Sequence, residues 1–340
     1  MEVVVLGAGP AGCSTSIECA KHGISTLLID PLRLPERLPG ETLHPAASVI
    51  FQELGVLDDI ERAGFLRHEG HWSGAPESVV WQPYGSDLRG QWLSYQALRP
   101  ALDLILRRGA QRAGVVFDQE SRPAGVIEDN GTVVGIRTGQ GDNPIYCRFV
   151  VDATGRSRWL ARKLKLRTIH ASPRLVARFG WNPRSSGHEL PRFLPEPNGY
   201  LWTAPVTQEE TAWTQLKFLS DSARAKGKCR DVTWTLVIPS AGPGYFLTGD
   251  AASTLDPALS RGVLNAMMSG MVAGRAIADV ICGRGDTRSR LTGYSAWIRD
   301  TFCQDAEALL AMYSQFSIPP SWVESSRETL SEIRRMPCSR

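Results

Sequence analysis

Glu2-Val-Val-Val-Leu6-Gly7-Ala-Gly9-Pro-Ala-Gly12 opens the chain with a β-branched run that breaks into a glycine-rich turn. The segment from Cys13 to about His22 reads as a helix, and Ser25-Thr-Leu-Leu-Ile29 as a second strand. That strand ends on Asp30, eighteen residues beyond Gly12. Strand, G-x-G-x-x-G turn, helix, strand and acid together form the fingerprint of a dinucleotide site. Gly7 permits the tight turn, Gly9 lets the backbone approach a pyrophosphate, and Gly12 allows close helix–strand packing. The phosphates then lie at the helix N-terminus, where free N–H groups and the helix dipole favour anions. Asp30 is placed to accept hydrogen bonds from an adenosine ribose. A glycine turn without a ligand is the bland alternative, and the intact βαβ unit weighs against it.

The rest of the composition fits a folded chain. Its 340 residues are 42% hydrophobic and 21% charged, room for one large or two modest domains and too apolar for disorder. A net charge of +3, from 38 basic and 35 acidic residues scattered along the chain, gives no footprint for a nucleic acid. The seven cysteines are widely spaced and never in C-x-x-C, so neither a disulfide framework nor a metal site is expected. No apolar run approaches the roughly 18 residues that span a bilayer, and no cleavable leader is evident. A cytoplasmic enzyme that opens on its nucleotide site, with no membrane partner, is the expectation.

Two further segments repeat the pattern of a strand ending in an acid and glycine. Phe149-Val-Val-Asp152-Ala-Thr-Gly155 reads as another strand of the first sheet. Gly244-Tyr-Phe-Leu-Thr-Gly249-Asp250 leads through Asp256-Pro257 and Ser260-Arg-Gly262 into a helix starting near Val263. Between residues 115 and 150, four short β-rich runs read as a three-stranded meander. Residues 171–239 alternate in strands rich in tryptophan, of which the chain has ten. They read as an antiparallel sheet on which an aromatic ligand stacks, with core packing the plainer role for any single tryptophan. Ser185–Asn198 reads as a surface loop or lid.

With Gly40-Glu41-Thr42-Leu43, these phrases resemble the FAD-dependent aromatic monooxygenase superfamily, in the branch that includes tryptophan halogenases. The resemblance implies a fold of mixed α/β (α+β) class: a Rossmann-like, three-layer ββα FAD-binding domain of aromatic-hydroxylase and glutathione-reductase type, with an antiparallel substrate sheet. Residues 1–70, 96–170 and 240–300 are expected to form the discontinuous FAD-binding domain. Residues 71–95 and 171–239 would be the substrate domain, and 301–340 C-terminal helices and a tail. By the same resemblance Gly7, Gly9, Gly12 and Asp30 hold the ADP half of FAD, Arg99 reaches the flavin or its phosphates, Asp250 binds the ribityl or pyrophosphate region, and Asp152 and Gly249 are cofactor-binding residues as well. Pro257 lies against the isoalloxazine, and the Ser260–Gly262 backbone faces its N1–C2=O edge.

Within that branch, hydroxylases and halogenases share a flavin C4a-hydroperoxide and differ in what receives its oxygen. The halogenases use a lysine between the Gly-Glu motif and the Asp-Ala-Thr-Gly strand, and this chain has no lysine between Lys21 and Lys163. Their W-x-W-x-I-P phrase is broken at Trp234-Thr-Leu236-Val-Ile238-Pro239, and the chain ends soon after its last helices. All three departures point to direct hydroxylation of an indole or phenol. His71-Trp72-Ser73-Gly74 and Tyr200-Leu-Trp202 are similar to enzymes that mature tryptophan-derived quinone cofactors, which implies an aromatic small molecule or a tryptophan-bearing peptide or protein as substrate. His44 and His71 are the candidate acid or base residues, and Glu41 either holds a proton near the flavin or caps the helix from Ala46. The reductant is either NAD(P)H docking transiently or reduced FAD delivered by a partner flavin reductase. A halogenase, a double-bond reductase of the same fold and a non-catalytic FAD-binding maturation chaperone are the alternatives.

Overall fold

Val3, Val4, Val5 and Leu6 are all essentially buried, and each such side chain contributes about 1.5–3 kcal/mol relative to exposure. A strand apolar on both faces belongs at the centre of a covered parallel sheet. In the computed structural model, which describes residues 1–31, 41–74, 77–88, 90–139, 143–184, 190–218 and 228–337, it takes that position. Val3–Leu6 pairs in parallel with Thr26–Ile29 on one side and Phe149–Asp152 on the other. Val116–Asp118 extends the sheet beyond Thr26–Ile29, and Tyr245–Leu247 extends it beyond Phe149–Asp152. The sequence grouped the strand at 115–117 with the meander. It lies instead at the edge of the parallel sheet, and Pro123–Asp129, Thr132–Thr138 and Asn143–Tyr146 make the three-stranded meander.

Among the described residues eight α-helices accompany the sheets: α1 (Pro10–Lys21), α2 (Ala47–Leu54), α3 (Leu57–Arg62), α4 (Arg99–Arg112), α5 (Trp159–Lys163), α6 (Gly262–Ile281), α7 (Thr287–Tyr313) and α8 (Val323–Arg335). Helices α1 and α6 pack backbone to backbone. A Cβ on Gly270 would stand 2.3 Å from the Ala11 carbonyl oxygen, and one on Gly274 would stand 2.7 Å from Glu18 Cβ. Only glycine permits that approach, which seats the first turn of α1 against the middle of α6. None of the described helices is long and apolar enough to cross a membrane.

A seven-stranded sheet forms the second layer, in the order Lys228–Asp231, Val176–Pro183, Glu210–Lys217, Gly199–Pro205, Arg192–Glu196, Gly70–Ser73, Val80–Pro83. Every pairing is antiparallel except that of Arg192–Glu196 with Gly70–Ser73. Arg192–Glu196 falls within the segment expected to be a lid. It is a strand because Phe193 buries against Tyr200 while its backbone completes the ladder between two neighbours; residues 185–189 of that segment lie outside the described residues. Glu41–Leu43, Ser94–Ala97 and Leu66–His68 make a small antiparallel sheet beside it.

Candidate active site

Where α1, α6 and the seven-stranded sheet meet, they enclose a cavity of about 500 Å³, within the range of ligand-binding clefts. One wall is backbone: Gly9 to Ala11 at the start of α1, Thr248 to Asp250 after the last parallel strand, and Gly262 at the start of α6. Another wall is aromatic, from Phe179 and Trp202, with the buried Tyr200 behind it. Trp297 of α7 adds a second tryptophan, so two of the ten line the cavity, and the others described lie elsewhere.

The backbone wall fits a dinucleotide pyrophosphate. Neither α1 nor α6 has a side-chain N-cap, and residues at both helix starts line the cavity, so the positive ends of two dipoles lie beside it. A Cβ added at Gly9, Gly155 or Gly262 would meet nothing within 4 Å, whereas one at Gly12 would stand 1.8 Å from the Gly7 oxygen. Gly9 is therefore a cradle, and Gly12 is a packing glycine. Gly7 adopts φ +99° and is equally crowded, 2.5 Å from the Ala153 oxygen.

Gly9, Arg99, Gly249, Asp250, Pro257, Ser260 and Gly262 all line the cavity. Arg99 Nε bonds Asp103 Oδ1 at 2.8 Å, one turn along α4, and Arg156 Nε bonds Asp250 Oδ2 at 3.1 Å. Asp30 lies beneath the glycine turn. Its Oδ2 accepts from the Ala8 N–H at 3.0 Å and from Arg107 at 2.6 Å, so it braces the loop as well as standing at the strand end. Asp152 does not reach the cavity. It is buried, it accepts from the Thr154 N–H and hydroxyl and from the Leu160 N–H, and it fixes the turn whose Ala153 and Gly155 do line the site.

Neither histidine singled out from the sequence is among the described residues that line the cavity. His44 Nδ1 accepts from the Ala46 N–H at 3.2 Å, and His71 packs behind the aromatic wall between Tyr84 and Trp202, with ring centroids 5.7 and 5.4 Å away. Of Glu41 only the backbone is described, in the strand opposite Ala97. No side chain of Ala46 caps α2.

Two polar assemblies replace them. Asp256 is buried at the cavity floor and accepts from Tyr313 Oη at 2.8 Å, Trp234 Nε1 at 2.7 Å, Tyr200 Oη at 3.1 Å and the Ala258 N–H at 3.1 Å. Burial pushes its pKa up, and the four donors oppose that rise. The turn it anchors, Pro257–Leu259, delivers Ser260 in a left-handed conformation at φ +54° immediately before α6. The second assembly is a chain at the wall: Trp202 Nε1 donates to Thr42 Oγ1 at 3.1 Å, and Thr42 donates to Gln96 Oε1 at 2.7 Å. Asp256 was visible in the sequence only as the neighbour of Pro257. Tyr313, Gln96 and Arg107 carried no signal, because their partners lie far along the chain.

Residues 1–201 match the sequence profile described as FAD binding domain, and these residues contain the glycine turn and Arg99. The chain belongs to the FAD binding domain family. It lies in the branch of FAD-dependent halogenases and aromatic monooxygenases, which are oxidoreductases. It is 26% identical to a 1H-pyrrole-2-carbonyl-[peptidyl-carrier protein] chlorinase of Pseudomonas fluorescens, over 98% of this chain and 88% of that one. A solved flavin-dependent brominase superposes with a TM-score of 0.81 at 23% identity, covering 99% of this chain and 93% of the brominase. A peptidyl tryptophan dihydroxylase essential for tryptophylquinone cofactor biogenesis superposes with a TM-score of 0.72 at 18% identity, covering 96% and 78%.

The histidines of this FAD-binding protein give it a pH dependence. Burial lowers the imidazole pKa of His44, His68 and His71 below the ordinary 6.5, with Arg261 adding to the effect at His44. The folded protein keeps these rings neutral while the unfolded chain protonates near 6.5. Their contribution to stability is complete above that value and is lost as pH falls from it towards the folded pKa values. The urea midpoint is expected to fall between about pH 7.5 and about pH 5.5, and a His68→Gln, His71→Gln double variant to flatten the slope. Equal slopes in the two proteins would contradict this assignment.

Proposed function

We infer that the chain is an FAD-dependent monooxygenase that hydroxylates an electron-rich aromatic ring of indole or phenol type, including a tryptophan side chain presented in a peptide. The observation that carries this reading is one cavity that joins the backbone cradle to an aromatic wall, with no lysine among its described lining residues. FAD, when bound, supplies reduced flavin that activates oxygen. The chain supplies the rest. The cradle of Gly9 and the α1 N-terminus holds the pyrophosphate, with Gly7, Gly12 and Asp30 shaping the loop around it. Gly249 and Asp250, tied to Arg156, hold the linker between pyrophosphate and ring. Pro257, Ser260 and Gly262 would hold the flavin ring, with the α6 dipole favouring negative charge there. Phe179 and Trp202 stack on the substrate, about 0.5–1.5 kcal/mol for a well-placed aromatic pair, and exclude water from the reacting atoms. Electrons come from NAD(P)H or from a partner reductase, and NAD(P)H oxidation by the purified chain alone separates the two.

The similarity to the chlorinase over 98% of this chain favours a second reading, halogenation of a carrier-bound or free aromatic. Turnover of indole, phenol and tryptophan-bearing peptides under ¹⁸O₂, with reduced FAD and with or without chloride, tests both. One labelled oxygen per product supports hydroxylation. A chloride-dependent product without label replaces it by halogenation, and a product formed without oxygen replaces both by reduction. No product from any of them, despite bound FAD, leaves the maturation-chaperone reading in place.

A further inference from the structure

We propose that Asp305 is a positioning residue for the flavin. From α7 it grips Arg261 and Asn265 at the start of α6, and together with Tyr313 on Asp256 it holds the intervening Ser260 in the left-handed conformation that faces the ring. This rests on the placement of the ring along Pro257, Ser260 and Gly262 given above.

Asp305 is 4% exposed, and both of its carboxylate oxygens are engaged by the start of α6. Its Oδ1 accepts from Arg261 Nη1, and its Oδ2 accepts from Asn265 Nδ2 at 2.6 Å. A carboxylate only accepts, which fixes the orientation of the Asn265 amide. Arg261 immediately precedes α6, and Asn265 closes the first turn, its N–H on the Arg261 carbonyl at 2.8 Å. Both contacts therefore hold the helix start rather than its body.

The helix that carries Asp305 is itself anchored on either side of it. Tyr294 Oη donates to the Leu247 carbonyl at 2.6 Å, the Ala241 N–H donates to Ser295 Oγ at 3.0 Å, and Tyr313 Oη donates to Asp256 at 2.8 Å. Helix α7 thus grips one cavity-lining segment at both ends, at Asp256 before the Pro257–Leu259 turn and at Arg261 after it. Ser260 lies between the two, at φ +54°. A residue other than glycine adopts that region at a cost and stays there only where its surroundings impose it. Releasing one end lets Ser260 relax, and the backbone that holds the ring relaxes with it.

The test strips the full chain of FAD and titrates it back, followed by flavin fluorescence and by the absorption spectrum. Asp305→Ala is expected to bind FAD about tenfold more weakly, the worth of a hydrogen bond to a charged group, and with a displaced absorption band. Adding Ser260→Gly is expected to recover most of the affinity and the parent's spectrum, because glycine takes φ +54° without strain, and adding Ser260→Ala to recover neither. Asp305→Asn keeps an acceptor for Arg261 and, once the Asn265 amide turns over, a donor for Asn265. It is expected to stay close to the parent. Arg261→Met removes the same contact from its more exposed end, with the same loss and the same recovery expected, and carries the test if Asp305→Ala does not fold. Gly262→Leu reports on the placement of the ring: a Cβ there meets nothing within 4 Å, so leucine fills the space assigned to the ring without a clash of its Cβ in the apoprotein.

Parent affinity in Asp305→Ala or in Arg261→Met, beside weakened binding in Gly262→Leu, overturns the proposal and leaves the placement of the ring standing. A loss that Ser260→Gly repairs no better than Ser260→Ala also overturns it, and makes Asp305 a plain stabiliser of the fold. If Gly262→Leu binds FAD with the parent's affinity and spectrum, the ring lies elsewhere, and the role of Asp305 falls with that placement.

Discussion

Gly9→Asp is expected to yield a folded protein that purifies without FAD, with affinity weakened at least about a hundredfold. The space at Gly9 is open, nothing within 4 Å of the new Cβ, so the substitution creates no clash in the apoprotein. What it does is place a carboxylate at the uncapped N-terminus of α1, where it satisfies the N–H groups and the dipole that would otherwise hold a phosphate. The new charge also repels the ligand. Gly7→Ala and Gly12→Ala are expected to behave in the opposite way. Their methyl groups would stand 2.5 Å from the Ala153 oxygen and 1.8 Å from the Gly7 oxygen, and Gly7 is also left-handed. These two lose stability, by about 1–3 kcal/mol or more, before they lose ligand. Thermal unfolding of the apoproteins beside FAD titration separates the two kinds of glycine. A Gly9→Asp protein that retains stoichiometric FAD would remove the cradle from the site. Loss of product formation with loss of FAD would also count against a scaffold that needs no flavin.

The contrast explains what the sequence made legible. The glycine turn, the parallel strands Val3–Leu6, Thr26–Ile29 and Phe149–Asp152, and the Gly249-Asp250 loop before α6 are local patterns, and their chemistry follows from spacing alone. Seven of the residues named in advance line one cavity because each sits at the end of a strand or the start of a helix, where the topology gathers such ends. The aromatic wall was legible only as a composition. Which tryptophans face a ligand depends on sheet register, and the register puts Trp202 in the wall while Trp234 lies in the core against Tyr313. The place of His71 depends on register in the same way: its neighbours in sequence pick it out, and the sheet sets its ring against that of Trp202. Asp152 repeats the lesson. Its acid-and-glycine motif is real, and its carboxylate serves the turn that shapes the site.

Asp256→Ala is expected to destabilise the protein by about 3–5 kcal/mol and to weaken FAD binding at the same time. Asp256 holds together groups that no local pattern connects. The rings of Tyr200 and Trp234 flank that of Tyr313, each stacked at 6.4 Å, and all three direct their polar hydrogens to the one carboxylate. Removing it strands two hydroxyls and an indole N–H in the core, each costing about 1–3 kcal/mol when left unpaired. It also frees the turn at Pro257, which lines the cavity, and the Tyr200 ring behind it, so stability and affinity should fall together. Asp256→Asn keeps one acceptor oxygen but turns an N–H₂ towards donors, and should fall between parent and alanine. The sharper measurement is a double-mutant cycle by urea denaturation. Tyr313→Phe alone leaves Asp256 short of a donor, whereas in the Asp256→Ala background there is no carboxylate to serve and the phenylalanine should cost little or relieve a buried hydroxyl. The expected coupling is about 1.5–3 kcal/mol, the worth of a hydrogen bond to a charged group. Additive effects would mean that the aromatic stack stands by packing alone, and that Asp256 acts only on the Pro257 turn.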